Sequence, residues 1–477
     1  MTAPDDRDAT ASTPPRPARR VAVIGGGITG AAAAHHLGLR RADGTLDHVV
    51  LFEAEHDVGG RSLTTPFAGL DHVDCGPDAF LARVPDATAL AAQVGVVDEL
   101  VHPERVGAAV WYDGMLDIPD GLVLGVPGNP LSLARSSLLS WRGKARAALE
   151  PLLPRTSTEP DSIGEFVRAR FGDEVHERLV DALVGSIYAT DTDRFSLAEM
   201  PQLAALTSDR SLLAAARRTA TKGTASAAAS PIFATPAAGM QRLTTSTVAA
   251  ARSKGVEVRT GRPVVIESAP GASEWAVDGE RFDAVIVATP AGAALGVLGA
   301  VAPDTVEILS RAETSDVALL SLHVDGSEWP DRLGGRSGYL VPKPVQRSVT
   351  AVSFASQKWA HWQPPGGGQI LRVSLGRDGA PVLHLSDEEL VERALDDLHL
   401  HLGVRFSPTE VRVSRWPGAF AQYRPHHRRW VEALRATLPS GIAVAGSAYD
   451  GIGIPACVRS GRTIAERVVD HLAPLPH

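Results

Sequence analysis

The sequence predicts an α/β protein built from a Rossmann-like dinucleotide-binding unit, a mixed-sheet domain and a helical insertion. Three observations carry that prediction. Near the start, a short apolar run ends in clustered glycines and passes into an alanine-rich stretch. Helical periodicity then dominates from Leu131 to about Ala216. Strand-like apolar runs return between Val256 and Ser374, and no internal repeat is visible. A length of 477 residues suits roughly three domain-sized units.

Met1 to Arg20 is polar, contains Pro14, Pro15 and Pro17, and lacks an apolar core. It reads as a disordered lead-in and not as a secretory signal. Val21–Ile24 is the first expected strand, Ala31–Leu39 the first helix and Val49–Phe52 the second strand, together a β-α-β unit. Val21–Leu39 is also the nearest approach to a membrane span, but its glycines, Thr29, His35 and His36 interrupt it. Peripheral contact with a membrane surface stays open. Glycine and proline punctuate residues 107–130, and Ser162 with Glu165 has the spacing of a capping box. Thr219–Ser230 is poor in large apolar residues and is expected to be a linker or loop.

Strands are then expected at Val256–Val258, Val264–Ile266, Trp275–Val277, Ala284–Ala288, Val317–Val324 and Leu371–Ser374. Ser386 and Glu389 open a helix that Gly403 stops. Ile442–Ala445 is a late strand before a glycine-rich turn, and Val458–Leu472 is the last helix.

Composition excludes several function classes. With 44% hydrophobic and 21% charged residues the chain is ordinary globular protein. A net charge of −8 argues against a polyanionic partner such as nucleic acid, so any acidic ligand has to meet locally clustered arginines. Cys75 and Cys457 are the whole cysteine content, which rules out a disulfide framework or a cysteine-rich zinc site. A reducing, cytoplasmic setting is the expectation, and no metal site is expected. His35 and His36 are adjacent on a helix and point apart, and His426-His427 among Arg424, Arg428 and Arg429 reads as a solvated basic patch.

Two motifs carry chemistry. Gly25-Gly26-Gly27-Ile28-Thr29-Gly30 places glycines at the three positions of Gly-x-Gly-x-x-Gly. Gly25 permits the tight turn, Gly27 lets backbone approach a pyrophosphate, and Gly30 lets the helix pack on the sheet. The helix N-terminus favours the negative charge. Glu53, at the end of the second strand, suits the adenosine ribose, and Gly59-Gly60-Arg61 brings flexible backbone and a cation that can pair with a phosphate. At the other end, Gly446, Gly451 and Gly453 admit a flat ring system, and Pro455 suits the first turn of the last helix.

Glycine turn, acid and Gly-Gly-Arg in this order resemble the FAD family of amine oxidases, carotenoid desaturases and porphyrinogen oxidases. Asp74-Cys75-Gly76-Pro77-Asp78-Ala79-Phe80-Leu81-Ala82-Arg83 narrows the resemblance to the porphyrinogen oxidases of haem synthesis, especially the Gram-positive-type coproporphyrinogen III oxidases. Ser140–Arg146, Ala288-Thr289-Pro290, Trp416 with Gln422-Tyr423, and Ala445–Cys457 fit the same family, so the likeness spans roughly residues 20 to 470.

The resemblance implies a monoamine-oxidase-like arrangement. Its FAD domain would come from 20–80, 232–292 and 415–477, its substrate domain from 81–105 and 293–414, and its helical domain from 106–231. It implies non-covalent FAD held by Gly25, Gly26, Gly27, Ile28, Thr29, Gly30, Glu53, Ala54, Gly60, Arg61, Gly76, Pro77, Asp78, Ala79, Val264, Trp416, Gly446, Ile452, Gly453 and Ile454. Cys457 is then a packing residue and not a flavin attachment point. Arg83 and Arg424 are the candidate holders of substrate propionates; Val84 and Pro85 stand where some relatives carry a lysine after this arginine. The implied reaction is oxidation of coproporphyrinogen III by O₂, giving H₂O₂, with a ferrochelatase as possible recipient of the porphyrin. Flavin N5 takes the hydride, so no obligate catalytic base is named. Protoporphyrinogen IX oxidation, amine oxidation, desaturation, or a non-catalytic flavin- or porphyrin-binding role are the alternatives.

Overall fold

The computed structural model describes residues 19–227, 231–269 and 274–473, so nearly all of the expected lead-in lies outside the described residues. β1 (Arg20–Ile24) and β2 (His48–Phe52) each bury their last four residues, as strands covered on both faces do. Between them α1 (Ile28–Ala42) buries Ala31 to Ala34 and Leu37. The hairpin β3 (Thr64–Phe67) and β4 (Leu70–Asp74) follows, and a second hairpin, β5 (Gly107–Trp111) and β6 (Met115–Asp117), precedes the helical segment. There α2 (Ile163–Phe171) starts at Ser162, whose hydroxyl accepts from the Glu165 N–H. His176–Gly185 forms a π-helix.

The stretch read as a linker is largely helix, because α3 spans Leu212–Ala227. Alanine and the straight-chain cations favour a helix without large apolar side chains, so their absence was no sign of a loop. Residues 228–230 of that stretch lie outside the described residues. α4 (Gln241–Ser253), β7 (Glu257–Arg259) and β8 (Ala284–Val287) come next. Four long strands succeed them: β9 (Thr314–Val324), β10 (Arg336–Leu340), β11 (Val349–Phe354) and β12 (Gln369–Leu375). α5 (Asp387–Leu402) has both arms of the Ser386–Glu389 capping box and stops at Gly403, φ 67°. β13 (Glu410–Ala421), α6 (His427–Ala436), β14 (Ile442–Val444) and α7 (Ile454–Leu472) complete the chain. α7 begins before the expected Val458 because Pro455 fits its first turn.

Two sheets organise these elements. The first runs β7–β2–β1–β8–β14 and is parallel throughout, so three distant stretches of chain make one dinucleotide-binding sheet. α1 and α7 pack together on it so closely that a Cβ on Gly461 would run into the Thr29 carbonyl oxygen. The second runs β13–β9–β12–β11–β10–β5–β6, antiparallel except for the β10–β5 pair. β5 and β6 join this mixed sheet although they sit in the segment expected to be helical. Leu390, Ala394 and Leu398 of α5 share a buried core with the sheet's Leu320, Val352 and Val373. A buried ion pair, Arg377 to Asp181, ties the π-helix to the loop after β12.

Candidate functional site

β1 delivers the chain into the first glycine turn. Gly25 has φ 111° and its N–H donates to the Phe52 carbonyl at 2.7 Å, which fastens the turn to β2. A Cβ on Gly30 would collide with the Gly25 carbonyl oxygen, so this glycine sets how close α1 comes to the turn. Gly27 is different. It is the N-cap of α1, offers no side-chain cap, and has nothing within 4 Å of the place its Cβ would take. The first-turn N–H groups of Ile28, Thr29 and Gly30 are therefore left to an outside acceptor.

Gly59-Gly60 lies across the same turn. The Gly59 N–H donates to the Gly26 carbonyl at 3.1 Å, and a Cβ on Gly60 would sit 3.3 Å from the Gly27 Cα. Glu53 closes one end: its Oε2 accepts from the Gly26 N–H at 2.5 Å and its Oε1 from the Glu55 N–H at 2.9 Å. Ala54 is exposed beside it. The Gly261 and Arg262 N–H groups donate to the Glu55 and Glu53 carbonyls, which brings half-buried Val264 to this end of the cradle.

The C-terminal motif meets the first one directly. A Cβ on Gly446 (φ 125°) would lie 3.7 Å from the Thr29 Oγ1. The Gly446 N–H donates to the Ser460 Oγ at 2.8 Å, and Ser460 donates to Asp450 at 2.6 Å. Gly453 (φ 103°) is the exposed N-cap of α7 and also has open space at its Cβ position; Ile452 and Ile454 flank it. Tyr423 holds this turn from below. Its hydroxyl donates to the Ser447 carbonyl at 2.6 Å and accepts from the Gly451 N–H at 2.9 Å. Cys457 is buried beside Thr29 and Arg61, and burial pushes its thiol above the usual range.

A wall between the halves comes from the middle motif. Arg61 is half-buried and donates to the Gly418 carbonyl at 2.5 Å, so the structure gives it a backbone partner where a phosphate was expected. A Cβ on Gly76 would collide with the Arg61 carbonyl, and the Trp416 Nε1–H donates to the Cys75 carbonyl at 2.9 Å. Asp78 is committed elsewhere: its Oδ2 accepts from Lys358 at 2.7 Å and Trp359 at 3.0 Å, and faces Arg372 at 3.4 Å. Burial alone would raise its pKa, but the two cations outweigh it and hold the carboxyl well below the usual range. These contacts all fall on Oδ2, so that oxygen is not available to a cofactor. Pro77 is exposed and Ala79 packs on the cluster around Trp359 and Trp362.

One sequence expectation gains detail and one needs correction. Arg424, a candidate propionate holder, pairs with Asp378 at 2.6 Å and with Glu313. His427 is no part of a solvated patch: it is buried and stacked on Tyr423 at 3.9 Å and Trp430 at 5.2 Å. Burial lowers its pKa to about 4, so it is neutral at physiological pH. Arg83 lies at an exposed turn before the helix Pro85–Gln93. Sequence reasoning assigned no role to Tyr423, Asp74 or Thr289. The Thr289 Oγ1 is buried without a partner, and its Cγ2 lies 3.2 Å from the Cβ position of Gly25. Asp74 accepts from the Thr64 hydroxyl at 2.5 Å and the Met240 N–H at 2.8 Å, while its Oδ2 is buried without a partner. All three lie in family-like runs, Asp74 in Asp74–Arg83, Thr289 in Ala288-Thr289-Pro290 and Tyr423 in Gln422-Tyr423, but the runs do not say what each side chain does.

The residues present fit a flavin dinucleotide: open Cβ positions at Gly27 and Gly453, an uncapped helix start at each, a carboxylate at one end, and an orphaned threonine hydroxyl beside the turn. Among the described residues no group of three or more His, Cys, Asp or Glu could hold a metal ion, and no helix is long and apolar enough to cross a membrane.

Comparison with known proteins agrees with this geometry. Residues 28–469 match the model of the flavin containing amine oxidoreductase family. The chain is 31% identical to coproporphyrinogen III oxidase of Bacillus subtilis, over 95% of this chain and 98% of that one. Identity to the enzyme of the same name from Mycobacterium tuberculosis is 32%, with the same coverage. Human protoporphyrinogen oxidase is 27% identical over 94% of this chain and 98% of its own length. A crystal structure from Exiguobacterium sp. 255-15, bearing a provisional protoporphyrinogen oxidase name, superposes with a TM-score of 0.81 at 28% identity, over 94% of this chain and 98% of that one. The chain belongs to the flavin-containing amine oxidoreductase family, with FAD as its cofactor, and within it to the family of the coproporphyrinogen III oxidases.

Proposed function

We propose that this chain oxidises coproporphyrinogen III to coproporphyrin III in haem biosynthesis. The observation that carries the reading is a two-ended glycine cradle in a chain alike over 95% of its length to enzymes of that name. Three two-electron oxidations remove six hydrogens from the macrocycle. With dioxygen as terminal acceptor, three molecules of O₂ become three of H₂O₂. A meso carbon between two pyrroles gives up hydride readily because the cation left behind is delocalised.

When bound, FAD supplies the two-electron acceptor. The chain supplies orientation and electrostatics. Gly27, Ile28, Thr29 and Gly30 present amides to the pyrophosphate, and Glu53 accepts from the ribose hydroxyls. Gly446 and Gly453 leave room for the ring, and the uncapped start of α7 directs its positive end toward charge developing there. The remaining contacts expected from the family are Ala54, Gly60, Gly76, Val264, Trp416, Ile452 and Ile454. Arg83 is the propionate anchor of this reading; Arg61 and Trp416 serve as wall. Cys457, buried and with a raised pKa, packs and forms no flavin bond. A ferrochelatase in the cytoplasm is the recipient of the product.

Anaerobic mixing of the FAD-loaded protein with coproporphyrinogen III, and separately with protoporphyrinogen IX, tests the reading by the flavin absorbance. Faster bleaching by the first is expected. Faster bleaching by the second favours the activity named for the human relative. Bleaching by neither overturns the proposal and leaves a flavin-binding role. Arg83→Gln is expected to raise KM for the tetra-acid with little change in kcat.

A further inference from the structure

α5 and β13 enclose a surface groove of about 740 Å³ on the outer side of the mixed sheet, away from the glycine cradle. Val391, Leu395, Val411 and Val413 form its floor, and Val411 is 41% exposed. Along one rim stand Glu388, Glu392 and Asp396, all exposed, at successive four-residue steps of α5. Like charges at that spacing weaken a helix, and among the described residues none of the three has an ion pair. Asp387, next to them, is satisfied by Arg415 at 2.6 Å, and Arg405 is a cation in the lining, outnumbered by the three carboxylates. The floor is also bounded by an open sheet edge. β13 is the end strand of the seven, so the outer side of Glu410–Val413 has no strand beside it. Pro417, further along the strand, has no N–H to donate.

We propose that this groove docks a basic segment of a partner protein, extended and alternating lysine or arginine with apolar residues. Its apolar side chains fill the valine and leucine floor, its cations answer the three carboxylates, and its backbone pairs with β13 as an added strand. The acidic rim selects against nucleic acid and anionic lipid.

The probe is a fluorescein-labelled peptide of alternating lysine and valine, with a glutamate–valine peptide as control, titrated into the FAD-loaded full chain by fluorescence anisotropy. The lysine peptide is expected to bind, more weakly as salt rises. The triple variant Glu388→Lys, Glu392→Lys, Asp396→Lys is expected to weaken it about tenfold while flavin content and porphyrinogen turnover stay unchanged. Val411→Ser, which leaves the rim and its charge intact, is expected to weaken it as well and covers the case of a misfolded triple variant. Equal binding to both variants overturns the proposal, as does equally tight binding of the glutamate peptide. So does self-association of the native chain that the triple variant abolishes, which would make a second copy the occupant.

Discussion

Replacing Gly27 by alanine separates the role of a glycine in the fold from its role toward the cofactor. Gly27 has φ −71° and ψ 176°, backbone that any residue adopts, and no atom within 4 Å of the added methyl group. The apoprotein should tolerate the change to within about 1 kcal/mol, because the gain from a narrower unfolded ensemble is opposed by the poorer fit of alanine at a helix N-cap. With a pyrophosphate against the same backbone, the methyl group overpacks the site, at a cost of about 1–3 kcal/mol. FAD affinity should therefore fall between about fivefold and about 150-fold. Denaturant unfolding of the apoprotein and a flavin fluorescence titration measure the two effects separately. Gly30→Ala is the contrast, because its methyl group meets the Gly25 carbonyl oxygen and should destabilise the apoprotein itself. Unchanged FAD affinity in Gly27→Ala would refute the placement of the pyrophosphate, and an apoprotein destabilised by more than about 2 kcal/mol, beyond what an alanine N-cap costs, would refute the open space.

Asp74 gives a pH signature. Burial raises its pKa from 3.8 to about 6 against the opposing bonds from Thr64 and Met240, so the folded state holds the proton more tightly than the unfolded chain does. Stability should fall as pH rises from about 4 to about 6, by about 3 kcal/mol, and level off above; Asp74→Asn should remove that slope, and equal slopes in both proteins would exonerate Asp74. In the helical segment Glu150 and Arg170 are an ion pair with almost no exposure, Glu150 also accepting from the Leu212 N–H at 2.8 Å. Arg170→Met should cost about 3–5 kcal/mol in denaturant unfolding, because a buried carboxylate loses its cation; a loss below about 1 kcal/mol would show that water or the neighbouring amides replace it. Tyr423→Phe should leave the Gly451 N–H and the Ser447 carbonyl without their partner, lowering stability by about 1–3 kcal/mol. FAD should bind more weakly too, and an unchanged flavin titration would detach Tyr423 from the cofactor turn.

What the sequence made legible follows from the range of the interactions involved. The turn Gly25–Gly30 could be read because its requirements are local: strand before, helix after, and glycines where backbone must approach backbone. The capping box at Ser386 and the stop at Gly403 are equally local. The second half of helix α3, from Thr219, was misread for a related reason, since its alanines satisfy propensity while showing none of the apolar periodicity that marks a helix. The hairpin β5–β6 was hidden because its five- and three-residue strands are bounded by the turn residues that suggest loop, and their partner β10 lies more than two hundred positions away.

Charge roles were the least legible, and the reason is the same. Arg424 looks free in sequence, yet its carboxylates come from Asp378 and Glu313, 46 and 111 positions distant. Asp78 belongs to a family-like run that points toward FAD, but Lys358, 280 positions on, has claimed its side chain. A residue's chemical type is written in the chain, whereas its partner is chosen by topology. The glycine positions escape this limit only in part. Gly25, Gly27 and Gly30 look equivalent as a motif, while the fold makes Gly30 a packing contact and Gly27 an open approach. The motif therefore identifies the cofactor class, and the space around each glycine identifies which of them the cofactor needs.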